Sequence, residues 1–294
     1  MRVAIIGGSG KMGQWFANFL LEDGKEVIIT GRNEKKLLEA KERVGVEVTH
    51  SFSLAVESAD VVLISVPIDN FEEVVKQLQP HLHSNQVIMD LTSIKVFPVE
   101  MMHKYIKEGV VLGTHPMFGP GARDILNQNF VLTPTNEKET ALAEKTKQYL
   151  EARGARVTLM TAHEHDEMMA VILGFSHFVA IVSADTLLSF DRFKQMEAIG
   201  GSTYKVLLTL AEGVISEDPE FYASLQMNLP NMTEIEELFQ RSSKTWADIV
   251  KNKDRDEFVK RMNTLKDNLE KSAPDFREAY KKMYKLLESG NLPQ

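Results

Sequence analysis

The sequence of 294 residues contains no cysteine. Disulfides, thiolate nucleophiles, iron–sulfur clusters and thiolate zinc sites are therefore excluded, and any chemistry must come from His, Ser, Lys, Asp and a bound cofactor. We expect a reducing, cytoplasmic location. Cations are also in deficit, with 34 Lys and Arg against 42 Asp and Glu and a net charge of −8. No broad surface for nucleic acid or an anionic membrane is expected, so an anionic ligand must meet a local cationic pocket.

Long uninterrupted apolar runs are missing as well. The longest, Met168 to Ala184, is interrupted by Ser176 and His177 and is shorter than the roughly 18 apolar residues of a membrane span. It belongs to a predicted helix from His163 to about Phe190 that is apolar nearly all round. This pattern predicts burial on all sides, as the spine of a helical domain or of a dimer interface. The N-terminus lacks the features of a signal peptide, and none is expected.

A glycine-rich loop follows the first predicted strand, Arg2 to Ile6, and leads into a predicted helix, Gln14 to Leu21. In this context the pattern GxGxxG indicates dinucleotide binding. The first glycine, Gly8, is predicted to make the tight turn, Gly10 to admit a pyrophosphate, and Gly13 to let the helix pack on the strand. The anion would lie at the helix N-terminus. The predicted cofactor loop therefore comprises Gly8, Ser9, Gly10, Lys11, Met12 and Gly13.

The second predicted strand, Glu26 to Gly31, lacks the terminal acidic residue that binds the ribose 2′-hydroxyl of NAD. Arg32 and Asn33 follow instead. A guanidinium suits the additional phosphate of NADP, so NADP is the predicted cofactor and NAD the alternative. A second interpretation makes Arg32 a solvated loop residue and Asn33 the cap of a helix from Glu34 to Arg43.

Short apolar strands alternate with helical stretches as far as residue 161, which predicts a doubly wound parallel sheet. Ligands of such sheets bind at the carboxyl ends of the strands. Ser65, Val66 and Pro67 follow one strand there and are predicted to line the cofactor. Ser93 and Lys95 follow the next strand, where they are either site residues or caps of the following helix. The remaining predicted strands are Val46–Thr49, Val61–Val66, Val87–Asp90, Val110–Thr114, Asn129–Pro134 and Arg156–Thr161.

The pattern after residue 161 is helical almost to the end. We therefore predict an NADP-binding Rossmann domain at residues 1–161 and a helical substrate and dimerisation domain at residues 162–294. No repeat, low-complexity tract or flexible linker separates them. Helix breaks are predicted near Gly200–Gly201, Asp218–Pro219, Leu229–Pro230, Asn252–Asp254 and Ala273–Pro274.

The segment HEHDE, His163 to Glu167, contains residue types that bind metals. On one continuous helix, however, His165 and His177 would be about 18 Å apart and could not share an ion. Acidic residues in a first helical turn are explained by the helix dipole, so no metal site is predicted. Because a buried imidazole needs a partner, His177 is either a hydrogen-bonded core residue or a substrate ligand.

Taken together, five motifs resemble the prephenate/arogenate dehydrogenase family, and in particular its archaeal type, over the whole chain. They are GGSGKMG (Gly7–Gly13), DLTSIK (Asp90–Lys95), THPMFGP (Thr114–Pro120), HDEMMA (His165–Ala170) and DPEFYASLQM (Asp218–Met227). The resemblance implies oxidative decarboxylation of a cyclohexadienyl carboxylate, prephenate or arogenate, with hydride transfer to the nicotinamide. It also implies a homodimer, and we expect a single-function member without a regulatory domain.

The resemblance assigns roles to individual residues. His115 matches the catalytic histidine that accepts the proton of the ring hydroxyl, which an imidazole suits, and Ser93 a serine that orients both groups. His177, Lys95 and Lys205 match substrate-contacting positions. One feature is missing: many members carry an arginine five residues before the Asp–Pro, where it binds a substrate carboxylate. Gly213 stands there, so Arg123, in the turn after His115, is a candidate replacement together with Lys205.

Two alternatives remain. A β-hydroxyacid dehydrogenase or imine reductase resembles this architecture, but such enzymes usually depend on a lysine in the helical domain, whereas His115 lies in the first domain. A non-catalytic NADP-responsive binding protein would account for the loss of the arginine at Gly213.

Overall fold

The computed structural model describes residues 1–289. Its internal contacts divide the chain into two units. The first comprises Met1–Met169 with Met227–Pro230, and the second comprises Ala170–Gln226 and the described chain from Asn231 onward. The domain boundary between residues 161 and 162 stays a prediction.

The first unit contains one eight-stranded sheet. Its strands are β1 (Arg2–Ile6), β2 (Glu26–Thr30), β3 (Glu47–Thr49), β4 (Val61–Ile64), β5 (Val87–Asp90), β6 (Val110–Pro116), β7 (Asn129–Thr133) and β8 (Arg156–Leu159). The spatial order is β3-β2-β1-β4-β5-β6-β7-β8, and every neighbouring pair is parallel except β6 and β7. The predicted fold class is confirmed. The antiparallel pair is an addition to it, because β6 and β7 are joined by a loop rather than by a helical crossover.

Helices cover both faces of this sheet. They are α1 (Lys11–Glu22), α2 (Glu34–Val44), α3 (Phe52–Glu57), α4 (Phe71–Leu78), α5 (Val96–Tyr105), α6 (Glu137–Glu151) and α7 (Ala162–Met169), with 3-10 turns at Ile68–Asn70 and Gln79–His81. Alternate residues of β1 enter opposite cores. Ala4 and Ile6 pack with α3, α4 and α5, whereas Val3 and Ile5 pack with α1, α2 and α6. Burial of both faces explains why β1 is apolar at each position from Val3 to Ile6.

The second unit is helical throughout its described part. It contains a π-helical segment (Ala170–Phe175), α8 (Ser176–Leu188), α9 (Phe193–Ile199), α10 (Ser202–Ile215), α11 (Pro219–Asn228, whose last residues belong to the first unit), α12 (Met232–Lys251), α13 (Arg255–Ser272), a 3-10 turn (Pro274–Glu278) and α14 (Ala279–Ser289). Each of the five predicted breaks falls between two of these helices. Within the unit, α8 packs against α10, and α12 packs against α13 and the π-helical segment.

The apolar helix predicted to be buried on all sides is largely uncovered in the single chain. It runs without interruption from Ala162 to Leu188 and is long and apolar enough, by composition, to cross a membrane. Only 17% of its most apolar window is buried, and Val171 and Ile172 are 53% and 51% exposed. The prediction of all-round burial is therefore wrong for one chain. An apolar composition indicates that a surface is buried against another one, but it does not show whether that other surface belongs to the same chain or to a second copy.

Candidate active site

The carboxyl ends of β1, β4, β5 and β6 lie side by side. The chain leaves β1 toward β2 on one side, whereas β4, on the other side of β1, is reached only after β3. Between β1 and β4 the strand order therefore reverses, and in open α/β sheets a crevice forms at such a point. The loops that follow β1, β2 and β4 surround this crevice.

The loop between β1 and α1 contains the predicted cofactor glycines. Its left-handed residue is Gly7, with φ +79°, where a Cβ atom would overlap the backbone oxygen of Ser65. The left-handed conformation in this turn is therefore that of Gly7, which lies outside the predicted cofactor loop, and Gly8 is a central residue of the turn that the hydrogen bond from Gly10 to Gly7 closes. Gly8 is confined in a different way, since a Cβ there would lie 2.5 Å from the Cβ of Ile29.

The remainder of this loop is open toward a ligand. A Cβ atom at Gly10 would meet only the backbone oxygen of Gly7, at 3.3 Å. Gly10 is also the N-cap of α1, it provides no side-chain cap, and the first turn contains no acidic residue. Ser9 and Met12 are half-buried beside it and Lys11 is exposed. A small, open loop before an uncapped helix N-terminus fits the pyrophosphate of a nicotinamide dinucleotide.

Two further segments border the same crevice. The first segment is Ser65 to Pro67, directly after β4. The backbone N–H of Ser65 donates to the carbonyl of Ile6 at 2.8 Å. Arg32, exposed after β2, donates from Nη2 to Oδ1 of Asn70 at 3.1 Å. This bond links the guanidinium to the turn after β4. The side chain of Asn33 accepts from the backbone N–H of Lys36 at 3.0 Å, so it caps α2.

The ends of β5 and β6 are joined by a buried ion pair. Asp90 and Lys95 are both 0% exposed and in direct contact. The ammonium group of Lys95 also donates to Oγ1 of Thr92 at 3.1 Å and to the carbonyl of Thr114 at 2.7 Å. Asp90 accepts from the backbone N–H groups of Thr92 at 3.0 Å and Thr114 at 3.1 Å. The pair thus fixes the residue that immediately precedes His115.

This arrangement gives Lys95 a role other than the predicted substrate contact. Burial lowers the pKa of Lys95, and the Asp90 carboxylate acts in the opposite direction. Three acceptors surround Nζ, as many as an ammonium group has protons. No donor is left over for a substrate. Ser93, two residues earlier, is half-buried in the loop after β5, the strand next to β6.

His115 lies near the end of β6 and is 4% exposed. Its Nδ1 is 2.8 Å from Nε2 of His165 on α7, and Nδ1 of His165 is 2.7 Å from Oδ1 of Asp166. No hydrogen bond within the described residues uses Nε2 of His115. Burial, followed by the nearby Lys95 and His165, holds the pKa of His115 well below the ordinary value of 6.5. Its imidazole is therefore neutral, and able to act as a base, at neutral pH.

The buried histidines make stability depend on pH. Burial lowers the pKa of both His115 and His165 in the folded state. The unfolded chain therefore binds protons first as the pH falls below 6.5, and the free energy of unfolding should decrease. The stability is fully present above that pH, and the slope should not exceed about 1.4 kcal/mol per pH unit for each histidine.

Urea unfolding between about pH 7 and pH 5.5 measures this slope. His115→Asn should reduce it. His163→Asn makes the same change at an exposed position on α7 and should leave it unchanged. An identical slope in wild type and His115→Asn would contradict the expectation.

The loop of residues 117–128, between β6 and β7, contains Arg123, which is exposed. Trp15 on α1 secures this loop. Its Nε1 donates to the carbonyl of Ala122 at 2.7 Å, and its ring packs edge-on against Phe118 with centroids 4.7 Å apart. Arg123 is thereby held in a loop that packs on the helix following the cofactor glycines.

The other predicted substrate-contacting residues belong to the second unit. His177 lies on α8, where burial lowers its pKa and its ring meets that of Tyr222 edge-on at 4.9 Å. Its Nδ1 is buried without a hydrogen-bond partner among the described residues. Lys205 is exposed on α10. Gly213 lies on the same helix, and a Cβ atom there would meet nothing within 4 Å.

Several residues of these sites were missed in the sequence. Asp90, Thr92 and Thr114 belong to the motifs but had no predicted role. Asp166 was attributed to the helix dipole, and His165 was considered only as a metal ligand and rejected. Gln226 donates to the carbonyl of Gly174 at 2.9 Å, while its Oε1 is buried and unpartnered among the described residues. The π-helical segment that precedes His177 was also missed, although such segments are frequent at functional sites. Polar residues in apolar surroundings were the signal that could have found them.

The fold and the glycine loop define a dinucleotide-binding protein of the Rossmann class. Two family models match the chain and define its family. Residues 16–159 match the prephenate dehydrogenase nucleotide-binding domain, and residues 161–264 match the prephenate dehydrogenase dimerization domain. The chain belongs to the prephenate dehydrogenase family.

Individual relatives agree with this assignment. A protein of Methanocaldococcus jannaschii named "Probable arogenate/prephenate dehydrogenase" is 37% identical over 266 residues, which are 89% of this chain and 59% of that protein. The chain thus spans about three-fifths of the length of this relative. The structure of prephenate dehydrogenase from Aquifex aeolicus with hydroxyphenyl propionate and NAD+ has a TM-score of 0.75 and 23% identity, covering 91% of this chain and 96% of that one. Synechocystis arogenate dehydrogenase has a TM-score of 0.69 and 20% identity, covering 93% and 100%. Both structures are similar in fold.

Proposed function

We propose that this protein oxidatively decarboxylates prephenate or arogenate with NADP, giving 4-hydroxyphenylpyruvate or tyrosine. The observation that carries the proposal is His115 in a chain of the prephenate dehydrogenase family. It is a buried, neutral imidazole at a strand end, two strands from the nucleotide crevice, with Nε2 unused by the described residues. A base of this kind is what removal of a hydroxyl proton requires.

The residues of the first unit would divide the work as follows. The loop from Gly7 to Gly13 would hold the pyrophosphate, Ser65 to Pro67 would line the cofactor, and Arg32 would bind the 2′-phosphate. When bound, the nicotinamide ring supplies the hydride acceptor for the hydroxyl-bearing ring carbon. Nε2 of His115 would take the hydroxyl proton, and Ser93 would orient that hydroxyl. Carbon dioxide leaves as the ring becomes aromatic.

The substrate carboxylates need cations, because the family arginine is absent at Gly213. We assign this task to Arg123 and Lys205, which are both exposed. We also assign a hydrogen bond with the substrate to Nδ1 of His177, which has no partner among the described residues. Charge-assisted hydrogen bonds of this type are the strong ones in carboxylate recognition.

We further assign a homodimer in the cytoplasm. The second family model is a dimerization domain. The second unit exposes large apolar side chains that a second copy would cover, among them Leu188, Leu238, Phe258, Met262 and Leu265. A measured mass near 33.2 kDa, that of one chain, would count against this assignment.

Absorbance of the reduced nicotinamide tests the activity. Purified protein is mixed with NADP or NAD and with prephenate or arogenate, in all four combinations. Reduction of NADP by one of the two acids is the expected result. A folded protein that binds NADP but reduces it with neither acid would overturn the enzymatic proposal and leave the binding-protein alternative.

Arg32→Ala should weaken NADP binding about 10- to 100-fold, the value of a charge-assisted hydrogen bond to a phosphate. NAD lacks that phosphate, so its affinity should not change. Calorimetric titration with both cofactors measures the difference. Lys35→Ala removes a nearby exposed cation from the first turn of α2 and is the matched control. Equal losses for NADP and NAD in Arg32→Ala would refute the assignment of Arg32.

A further inference from the structure

Hydrogen bonds link His115 to His165 and His165 to Asp166. His165 and Asp166 have no assigned part in the proposed reaction. All three side chains are buried, with 4%, 0% and 4% of each residue exposed. The side-chain contacts are 2.8 Å and 2.7 Å long. His165 and Asp166 are 50 and 51 positions away from His115 in sequence, on α7. The direction of each hydrogen bond follows from the chemistry of the groups.

Asp166 determines the direction of the hydrogen bonds that link it to His165 and His115. Its Oδ1 accepts from the backbone N–H of Lys95 at 2.6 Å, and its Oδ2 accepts from that of Val96 at 2.9 Å. These donors form the N-terminus of α5, where a carboxylate is favoured. An ionised carboxylate can only accept hydrogen bonds. The contact with His165 is therefore Nδ1–H of His165 donating to Oδ1 of Asp166.

The proton on Nδ1 of His165 determines what its other nitrogen can do. In neutral imidazole one ring nitrogen is a donor and the other an acceptor. Nε2 of His165 is then an acceptor, so Nδ1 of His115 must donate to it. A doubly protonated His165 would reverse this bond, but burial lowers the pKa of His165 and disfavours that form.

We propose that Asp166 and His165 are positioning residues that hold His115 in the tautomer with its proton on Nδ1 and its lone pair on Nε2. Only this tautomer presents a proton acceptor at Nε2, the nitrogen that no described residue occupies. The opposite tautomer would place a donor there, and His115 could not take a hydroxyl proton. This inference deepens the proposed function and rests on it for its catalytic meaning.

Nitrogen NMR of histidine-labelled protein tests the tautomer without any substrate. The two ring nitrogens of a neutral histidine resonate far apart, and their couplings to ring protons show which one carries hydrogen. The signals of His115 are identified by their loss in His115→Asn. We expect the pattern of an Nδ1–H tautomer in the wild type. An Nε2–H pattern would overturn the proposal whether or not the enzyme turns over either acid.

Kinetics separate a positioning role from a packing role. His165→Leu keeps apolar volume and removes the acceptor, and should lower kcat about 10- to 100-fold, less than loss of the base itself, with KM for NADP unchanged. His165→Gln restores an acceptor and should recover part of that loss. His163→Leu on the exposed side of α7 is the matched control. If His165→Leu turns over as fast as His163→Leu, or if His165→Gln is no better than His165→Leu, the positioning role is refuted.

Discussion

His115→Asn is expected to lower kcat about 10²- to 10⁴-fold, the range that a general base contributes. Asparagine is the informative replacement because its amide can occupy the place of Nδ1. The hydrogen bond to His165, 2.8 Å long in the wild type, can then persist while Nε2 is removed. The substitution thus removes the proton acceptor but retains the hydrogen bond that positions the side chain at residue 115. Steady-state NADP reduction measures the loss, and calorimetry should show unaltered NADP binding.

The same substitution at His163 provides the control. His163 is exposed on α7, so His163→Asn should retain wild-type turnover and exclude a general effect of exchanging histidine for asparagine. Near-normal turnover of His115→Asn would contradict the assignment of the base. Parallel loss of NADP binding would also contradict it, since the residue would then support the nucleotide site and not the proton transfer.

Lys95→Met is expected to destabilise the first unit by about 3–5 kcal/mol, the cost of removing one partner from a buried ion pair. Methionine fills a similar volume but leaves the Asp90 carboxylate without its counter-charge. Both side chains are 0% exposed in the wild type, so water cannot replace the ammonium. The carbonyl of Thr114 also loses its donor. The loss of stability is therefore larger than that caused by the missing counter-charge alone.

Urea unfolding can report this loss for the first unit alone. Of the two tryptophans, Trp15 lies on α1 and Trp246 on α12, so a Trp246→Phe background leaves the fluorescence of the first unit. Lys35→Met changes an exposed lysine and should stay within about 0.5 kcal/mol of the parent. Adding Asp90→Asn to Lys95→Met should recover part of the loss, because the unpaired charge disappears. A loss below about 1 kcal/mol, the value of a surface pair, would show that the pair is not buried in solution.

Much of the fold was predictable because its signals are local. The strands Arg2–Ile6 and Val87–Asp90 were predicted with the bounds that the structure has, since short apolar runs and flanking turn residues specify both. The capping of α2 by Asn33 is equally local, three residues from its partner. The candidate site was predictable to the extent that it follows strand ends, because parallel strands bring their carboxyl ends to one edge.

The roles of the other site residues could not be predicted from local sequence signals. Lys95 was predicted to contact the substrate because it follows a strand end and matches a position of the family, and only its three-dimensional partners show that it is buried. Asp166 was attributed to the helix dipole because an acidic residue in a first helical turn is explained locally. His165 had been considered only as a metal ligand, since its neighbours in sequence do not show that it meets His115. The special role of Gly7 was not predicted because the motif GxGxxG begins one residue later, and because the close approach of Ser65 to Gly7 is a contact between distant parts of the chain.

The sequence by itself determined the order and type of the elements, the position of the glycine loop and the helix breaks, because each depends on residues a few positions apart. Only the tertiary structure decided the partners of Lys95 and His115, the antiparallel direction of β7 and the uncovered surface of the continuous helix Ala162–Leu188. The contacts that decide the roles of Lys95 and His115 join residues 19, 50 and 71 positions apart. No local period encodes such pairs, since they arise when the sheet brings distant strand ends and helix termini together.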